Sequence, residues 1–369
     1  MNILFPLIVT IFFAMVHYLG YTRVVKHLHV NSKTKGYLKF FLHVNMLGIA
    51  GYLLSRYTFN PPKELYFLLS LSIGVGFVIF IGTILYEILH VIQRNTPFKT
   101  EKRAFFKRSS DLGFLALGSA YLGAGVYEGS KEAVINHINV KQNRFNGKSY
   151  TIVQISDMHI GGLIDKEFVK SSVAKINALR PDLITITGDL SDAHVSTISE
   201  IIDELKNLKS RFGTFYVVGN HEYFHGIEDT IEHLKTLDIH VLENSSAKVD
   251  NFYIAGVYDI FGFRAEHHVP DINAAMQDIP KNAPSILLVH QPKYLNYLQG
   301  FTPSLILSGH THGGQIWPFG YLVKLAQPYL KGLHSLGKDR HIYVNSGIGF
   351  WGPKMRLGSQ AEITCISWS

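Results

Sequence analysis

The chain changes its hydrophobic rhythm near residue 130. Before that point apolar residues come in long runs, Ile3 to Tyr21, Tyr37 to Tyr57 and Leu65 to Leu89. Each is close to the roughly 20 residues that cross a bilayer as a helix. A fourth run, Leu112 to Tyr127, is shorter and richer in small residues. Ala116, Ala120 and Ala124 recur there at helical spacing, which favours close helix–helix packing and also suits the apolar core of a signal peptide. The pattern predicts a transmembrane region over residues 1–129, with helices near 3–21, 37–57, 65–89 and 112–127.

After Tyr150 the period shortens. "SYTIVQIS", "DLITITGD", "TFYVVGN", "NFYIAGV", "SILLVHQ", "SLILSG", "HIYVNSG" and "AEITCIS" read as strands. Between the first three lie helical patterns, "DKEFVKSSVAKINALRP" and "TISEIIDELKNLKS"; the second has Ile198, Ile201, Ile202, Leu205 and Leu208 on one face. Strands alternating with helices predict an α/β domain whose sheets are covered by helices, over residues 148–369.

Charge refines the first region. The 369 residues carry a net charge of +7 with a pI near 9.2 and a mean hydropathy of +0.11. Much of the excess lies between apolar runs: Arg23, Lys26, Lys33, Lys35 and Lys39 in the first loop, and Arg94, Lys99, Lys102, Arg103, Lys107 and Arg108 in the third. The second loop, "NPPKE", is almost bare. Positive loops stay cytoplasmic, so a fourth crossing puts everything beyond Glu128 outside, a multi-pass cell-membrane protein with an extracytoplasmic domain. "KRAFFK", Lys102 to Lys107, resembles a twin-arginine export signal with lysine in place of the first arginine. A plain positive-inside anchor explains the same residues. His17, His43, Glu87 and His90 fall within or near the apolar runs and read as residues near helix ends, at the interface. The basic segments flank membrane runs and form no nucleic-acid groove, so no nucleic-acid partner is expected. The single cysteine, Cys365, excludes an internal disulfide framework and a Cys-based zinc site.

The chemistry gathers where the strands end. Successive strand ends deliver Asp157 and His159, then Asp189 and Asp192, then Asn220 and His221, later His290, and finally His310 and His312 in "SGHTHGGQ". Ligands of open α/β sheets collect at such ends. In extended chain, His310 and His312 point the same way, and Gly313 and Gly314 allow a tight turn or a close approach. Asp157, His159, Asp189, Asn220, His290, His310 and His312 offer carboxylate, amide and imidazole donors and no sulfur, a set suited to Mn, Fe or Zn. Seven donors exceed one tetrahedral zinc. They suit two divalent ions roughly 3.5–4 Å apart that share a carboxylate.

The ordered set "DMH", "GDLSD", "GNHE", "VH" and "GHTH" resembles the calcineurin-like metallophosphoesterases over about Lys148 to Ser369. The resemblance implies a four-layer αββα sandwich with a binuclear centre. By position, Asp157, His159, Asp189 and His312 would hold one metal. Asp189, Asn220, His290 and His310 would hold the other, with Asp189 bridging. His221 matches the catalytic histidine near the leaving-group oxygen, and Asp192 a residue that supports the ligands from behind. Two cations lower the pKa of a shared water, so that hydroxide attacks phosphorus. "GDLSDAH" and "VVGNHE" lack the arginines of the protein serine/threonine phosphatases, which argues against that branch. "GHTHGGQ" and the tail "SGIGFWGPKMRLGSQAEI" are similar to a bacterial membrane-attached or exported branch. That branch includes general phosphodiesterases and a UDP-2,3-diacylglucosamine pyrophosphatase of lipid A synthesis. Arg356 is a candidate phosphate contact. Residues 315–334 mix Trp317, Phe319, Tyr321, Leu322, Leu325, Tyr329 and Leu330 with Lys324 and Lys331, a composition that fits either a membrane interface or a lid packed on its own domain.

The expected function is therefore a membrane-anchored phosphodiesterase or pyrophosphatase acting on a phosphate ester, with the lipid bilayer as partner and a lipid-linked substrate if the interfacial reading of 315–334 holds. A cytoplasm-facing pyrophosphatase of a nucleotide-linked lipid precursor is the first alternative. A non-catalytic membrane scaffold of the same fold is the second.

Overall fold

The computed structural model describes residues 4–56, 61–96, 100–142, 145 and 147–369. Ile3, Tyr57, Asn60 and Lys99 of the sequence reading lie outside the described residues. Two compact units result, residues 1–130 with 352–355, and residues 131–351 with 356–369.

The first unit is helical: α1 (Leu4–Leu19), α2 (Ser32–Ser55), α3 (Lys63–Asn95) and α4 (Thr100–Gly129). Asn31 caps α2 by accepting from the Thr34 amide. Among the described residues three stretches are long and apolar enough to cross a membrane, Pro6–His27, Ser32–Ser55 and Lys63–Asn95. The fourth predicted run is helical but does not reach that mark. It belongs to the longer α4, which continues back through the basic segment, with Lys107 paired to Asp111 at 2.6 Å. Asp111 is buried and also accepts from the Tyr86 hydroxyl at 2.9 Å and the His29 amide at 2.6 Å.

His17 departs from the sequence expectation. It is buried between helices, not at an interfacial end. Its Nδ1 bonds the Phe13 carbonyl at 2.7 Å, and its Nε2 accepts from Asn45 at 2.9 Å. Asn45 also donates to the Ser72 carbonyl, so one polar cluster ties α1, α2 and α3 beside Phe13, Ile49 and Tyr52. In the absence of water such groups must satisfy one another.

The second unit contains, in chain order, β1 (Val134–Val140), β2 (Tyr150–Ile155), α5 (Lys166–Ala178), β3 (Leu183–Thr187), α6 (Val195–Ile202), β4 (Thr214–Val217), α7 (Glu222–His225), α8 (Ile227–Thr236), β5 (Ile239–Val241), β6 (Ser245–Val249), β7 (Phe252–Gly256), α9 (Gly262–Ala265), α10 (Ile272–Met276), β8 (Ser285–Leu288), β9 (Leu305–Ser308), α11 (Gly320–Ala326), β10 (Gly332–Ser335), β11 (His341–Val344) and β12 (Glu362–Trp368). They form two six-stranded mixed sheets, ordered β1-β12-β2-β3-β4-β5 and β10-β11-β9-β8-β7-β6.

The unit starts at residue 131 and not at 148, because β1 lies parallel to β12 from Val134↔Glu362 to Val140↔Trp368. The second predicted helix also ends early. A 3-10 turn, Asp203–Asn207, replaces its last residues.

Alternation along each strand builds the layers. Ile152, Leu183, Phe215 and Val217 of the first sheet meet Phe252, Ile254, Ile286, Leu288 and Leu307 of the second in one cluster. The opposite faces, Val153, Ile155, Ile184 and Ile186, pack under Val169, Val173 and Ile176 of α5 and Ile198 and Ile202 of α6. On the far side Ala255, Leu287, Ile306 and Ile342 lie under Ile272, Ala275 and Met276. The result is an αββα order of layers. In the first sheet β2, β3 and β4 run parallel, and in the second so do β7, β8, β9 and β11. Their carboxyl ends deliver the candidate site.

Candidate metal centre

Asp157 and His159 follow β2, Asp189 follows β3, Asn220 and His221 follow β4, His290 follows β8, and His310 and His312 follow β9. The backbone there is unusual. Asp157, His159, Asp189, His310 and His312 have φ of 53, 52, 49, 69 and 49°. Left-handed backbone costs an ordinary residue about 1 kcal/mol. Five such residues clustered together mark side chains held in imposed directions. Gly188, at φ 85°, shows why the residue before Asp189 carries no side chain: a Cβ there would sit 2.7 Å from Gly219 Cα and from His290 Nδ1.

These side chains converge. The ligand atoms of Asp157, His159 and His312 lie within 4.8 Å of one another, as do those of Asp189, His290 and His310. Asp189 belongs to both neighbourhoods, since it also groups with His159 and His221. Its Oδ2 is 3.3 Å from His290 Nε2, 3.8 Å from His221 Nε2 and 3.9 Å from His159 Nε2. Asn220 Oδ1 lies 3.2 Å from His290 Nε2. The two sheets are stitched across the site, because the Asp157 carboxylate accepts the His310 amide at 2.9 Å; within the first sheet, Asp189 Oδ1 accepts the His221 amide at 2.8 Å.

The outward bonds fix which nitrogens face inward. His290 Nδ1 donates to the Thr187 carbonyl at 2.7 Å, leaving Nε2 toward Asp189, Asn220 and His310. His159 Nδ1 donates to Asp192 Oδ1 at 2.8 Å, leaving Nε2 toward His312 Nε2 at 3.0 Å. The same Asp192 oxygen holds His221 Nδ1 at 2.6 Å. Imidazole nitrogens thus face one another at 3.0 Å between His159 and His312 and at 3.2 Å between His290 and His310. Convergent imidazole, amide and carboxylate donors of this kind fit a bound divalent metal.

Burial and neighbouring charge divide the imidazoles. Burial, with His290 close by, pushes His310 down to about 3, and burial drives His312 well below its ordinary value. Both are neutral imidazoles, the form that ligates metal. Burial works to raise Asp189, but His290 and His221 hold its carboxyl well below the usual range. Burial likewise opposes charge on His290, yet the Asp189 carboxylate raises its pKa well above that of a free imidazole.

Arg356 sits elsewhere than expected. It is 2% exposed, and its guanidinium donates to the carbonyls of Ser346 at 2.9 Å, Gly347 at 3.1 Å and Gly349 at 2.6 Å, with the His312 carbonyl at 3.5 Å. It clamps the loop after β11 against the His312 turn. A guanidinium engaged by carbonyls on this many sides does not serve as an open phosphate contact. The notable residue that the sequence reading left without a role is Glu222. Fully buried, its two carboxylate oxygens accept four amides: Gly219 at 2.6 Å, Leu190 at 2.8 Å, Asp189 at 3.1 Å and Ser191 at 3.3 Å. It ties the loop after β3 to the loop after β4. Its signal was its place in "GNHE", directly beside two candidate site residues.

Comparison with known proteins places this constellation in context. The pattern of the calcineurin-like phosphoesterases matches residues 150–314. An uncharacterised metallophosphoesterase of Helicobacter pylori is 37% identical over 331 residues, covering 89% of this chain and 88% of its own. The chain belongs to the calcineurin-like metallophosphoesterase family. A Campylobacter jejuni metallophosphoesterase is 31% identical across 99% of this chain and 98% of its own. A zebrafish protein named as a transmembrane protein with a metallophosphoesterase domain is 35% identical over 227 residues, 58% of this chain and 52% of its own. This metallophosphoesterase is accordingly a phosphoester hydrolase with His/Asp clusters able to hold divalent metal. Three long apolar helices among its described residues mark it as a membrane protein.

Proposed function

We propose that the chain is a membrane-anchored phosphoesterase with two divalent ions, cleaving a phosphodiester or a pyrophosphate. The observation that supports it most is the sharing of Asp189 between two donor groups, with the Nε2 atoms of His290 and His159 turned inward. Asp157, His159, Asp189 and His312 would hold one ion, and Asp189, Asn220, His290 and His310 the other. Mn, Fe and Zn all suit these donors. When bound, the ions supply an activated water and neutralise the phosphoryl oxygens. The chain does the rest. Asp192 orients His159 and His221 through one oxygen, and Glu222 fixes the backbone of the loops that carry Asp189 and His221. The His221 side chain is more exposed, at 12%, than those of His159 at 1% and His290 at 0%. It would give a proton to the departing oxygen.

Activity is checked on the purified full chain with bis-p-nitrophenyl phosphate. Turnover is expected with Mn, lost on chelation and restored by Mn. No turnover with Mn, Fe or Zn would contradict the proposal and favour the scaffold reading.

The side of the membrane has two readings. If α4 crosses, the catalytic unit is extracytoplasmic. That among the described residues only three helices reach spanning length and hydropathy favours the other reading, in which the catalytic unit shares the cytoplasm with the first and third loops. A cytoplasmic site can meet a nucleotide-linked lipid such as UDP-2,3-diacylglucosamine, whereas an extracytoplasmic one cannot. A C-terminal alkaline phosphatase fusion is active under the first reading, and a C-terminal green fluorescent protein fusion is bright under the second.

A further inference from the structure

The segment after the metal-site turn rests on its own domain at Ile316 and Gln327 and leaves an apolar face exposed. α11 has no buried residue. Leu325 is 84% exposed, Tyr321 64%, Trp317 55%, Leu322 51% and Phe319 38%. Such a patch next to a site marks an interaction surface.

Its ends are pinned by buried polar bonds. Gln315 exchanges two 2.9 Å bonds with the Trp351 backbone. Thr311, beside His310 and His312, donates to the Leu330 carbonyl at 2.6 Å. Gln327, 6% exposed, donates to Gln291 at 2.9 Å and accepts the Lys293 amide at 3.0 Å. Gln291 follows His290 directly and donates to buried Asp259 at 2.9 Å. These bonds fix the ends of the segment beside both halves of the site, and the apolar residues between them are exposed.

Charge selects the occupant. Residues 315–334 contain Lys324 and Lys331 and no acidic residue. Both lysines are exposed, although Lys331 also reaches the Gly358 carbonyl at 2.8 Å. A second copy docked through the same face would set lysine against lysine. A lipid headgroup region accepts all of it: aromatic rings at the polar boundary, leucines below them and lysines toward anionic phosphates. The bilayer is also at hand, since the same chain carries three helices long and apolar enough to span it among its described residues.

We propose that residues 315–331 dock on the headgroup region of an anionic bilayer, with Trp317, Tyr321, Leu322 and Leu325 inserted at its boundary. The test uses the full chain in vesicles of phosphatidylcholine with and without phosphatidylglycerol. An environment-sensitive label is placed through Leu325→Cys, with Lys206→Cys, on the exposed 3-10 turn after α6, as reference. The label at 325 is expected to shift to the blue and be quenched by spin-labelled lipid, more strongly with phosphatidylglycerol, while the reference is not. Lys324→Gln and Lys331→Gln each weaken docking by about fivefold. A label at 325 that is unshifted and as little quenched as the reference overturns the proposal. So does a blue shift that needs high protein density and ignores spin-labelled lipid, which would mean a second copy. The label reads depth and not turnover, so this result is independent of the hydrolase reading.

Discussion

Asp189→Asn is expected to lower turnover by at least about 10³-fold, roughly 4 kcal/mol of barrier, and to leave the purified chain short of metal. Asp189 is the carboxylate common to both donor groups. Asparagine keeps the shape and can still accept the His221 amide that Asp189 Oδ1 accepts at 2.8 Å. It removes the negative charge 3.3 Å from His290 Nε2 and 3.9 Å from His159 Nε2. Two dications would then be left with Asp157 as the only anionic donor of the proposed set, and their mutual repulsion would expel one. Turnover of bis-p-nitrophenyl phosphate and metal content by elemental analysis check this together. A variant that keeps two ions per chain and turns over within about tenfold of the parent, roughly 1.4 kcal/mol, removes the bridging role.

Glu222→Ala is expected to have the largest effect on stability. Four amides lose their acceptor at a buried position. Each unsatisfied buried group costs about 1–3 kcal/mol. Relaxation and water entry keep the total below the sum, so a loss of about 3–5 kcal/mol is expected. For a unit of this size that lowers the melting midpoint by roughly 10 °C. Glu222→Gln falls between the two, because one oxygen survives while the new amide nitrogen faces donors. Thermal unfolding of the detergent-solubilised chain, followed by tryptophan fluorescence, measures both. An unchanged midpoint for the alanine variant contradicts the assigned role.

Much of the catalytic unit was legible because its strands are short, apolar and punctuated by Asp, Asn, His and Gly. The same punctuation marked the candidate site: every residue from Asp157 to His312 in the proposed set follows a strand end, and the fold brings those ends together. What stayed hidden has physical causes. In β1, "VINHINV" is half polar and largely exposed, and it pairs with β12 only, so neither periodicity nor composition announces it. Arg356 reads as a candidate phosphate contact, or as a surface salt bridge, from its place in the tail "SGIGFWGPKMRLGSQAEI". Burial against carbonyls is a property of the loop after β11 and cannot be seen in the residue. Glu222 works through backbone amides, which leave no trace in side-chain patterns. His17 was read from its place near the end of a run, whereas its burial depends on Asn45, 28 residues away.

Crystals of the full chain grown with Mn, measured at the manganese absorption edge, test the central claim most directly. The account predicts two anomalous peaks about 3.5–4 Å apart, one among Asp157, His159 and His312, the other among Asn220, His290 and His310, with Asp189 between them. A single peak, or none at these side chains in protein that hydrolyses the ester, would contradict it.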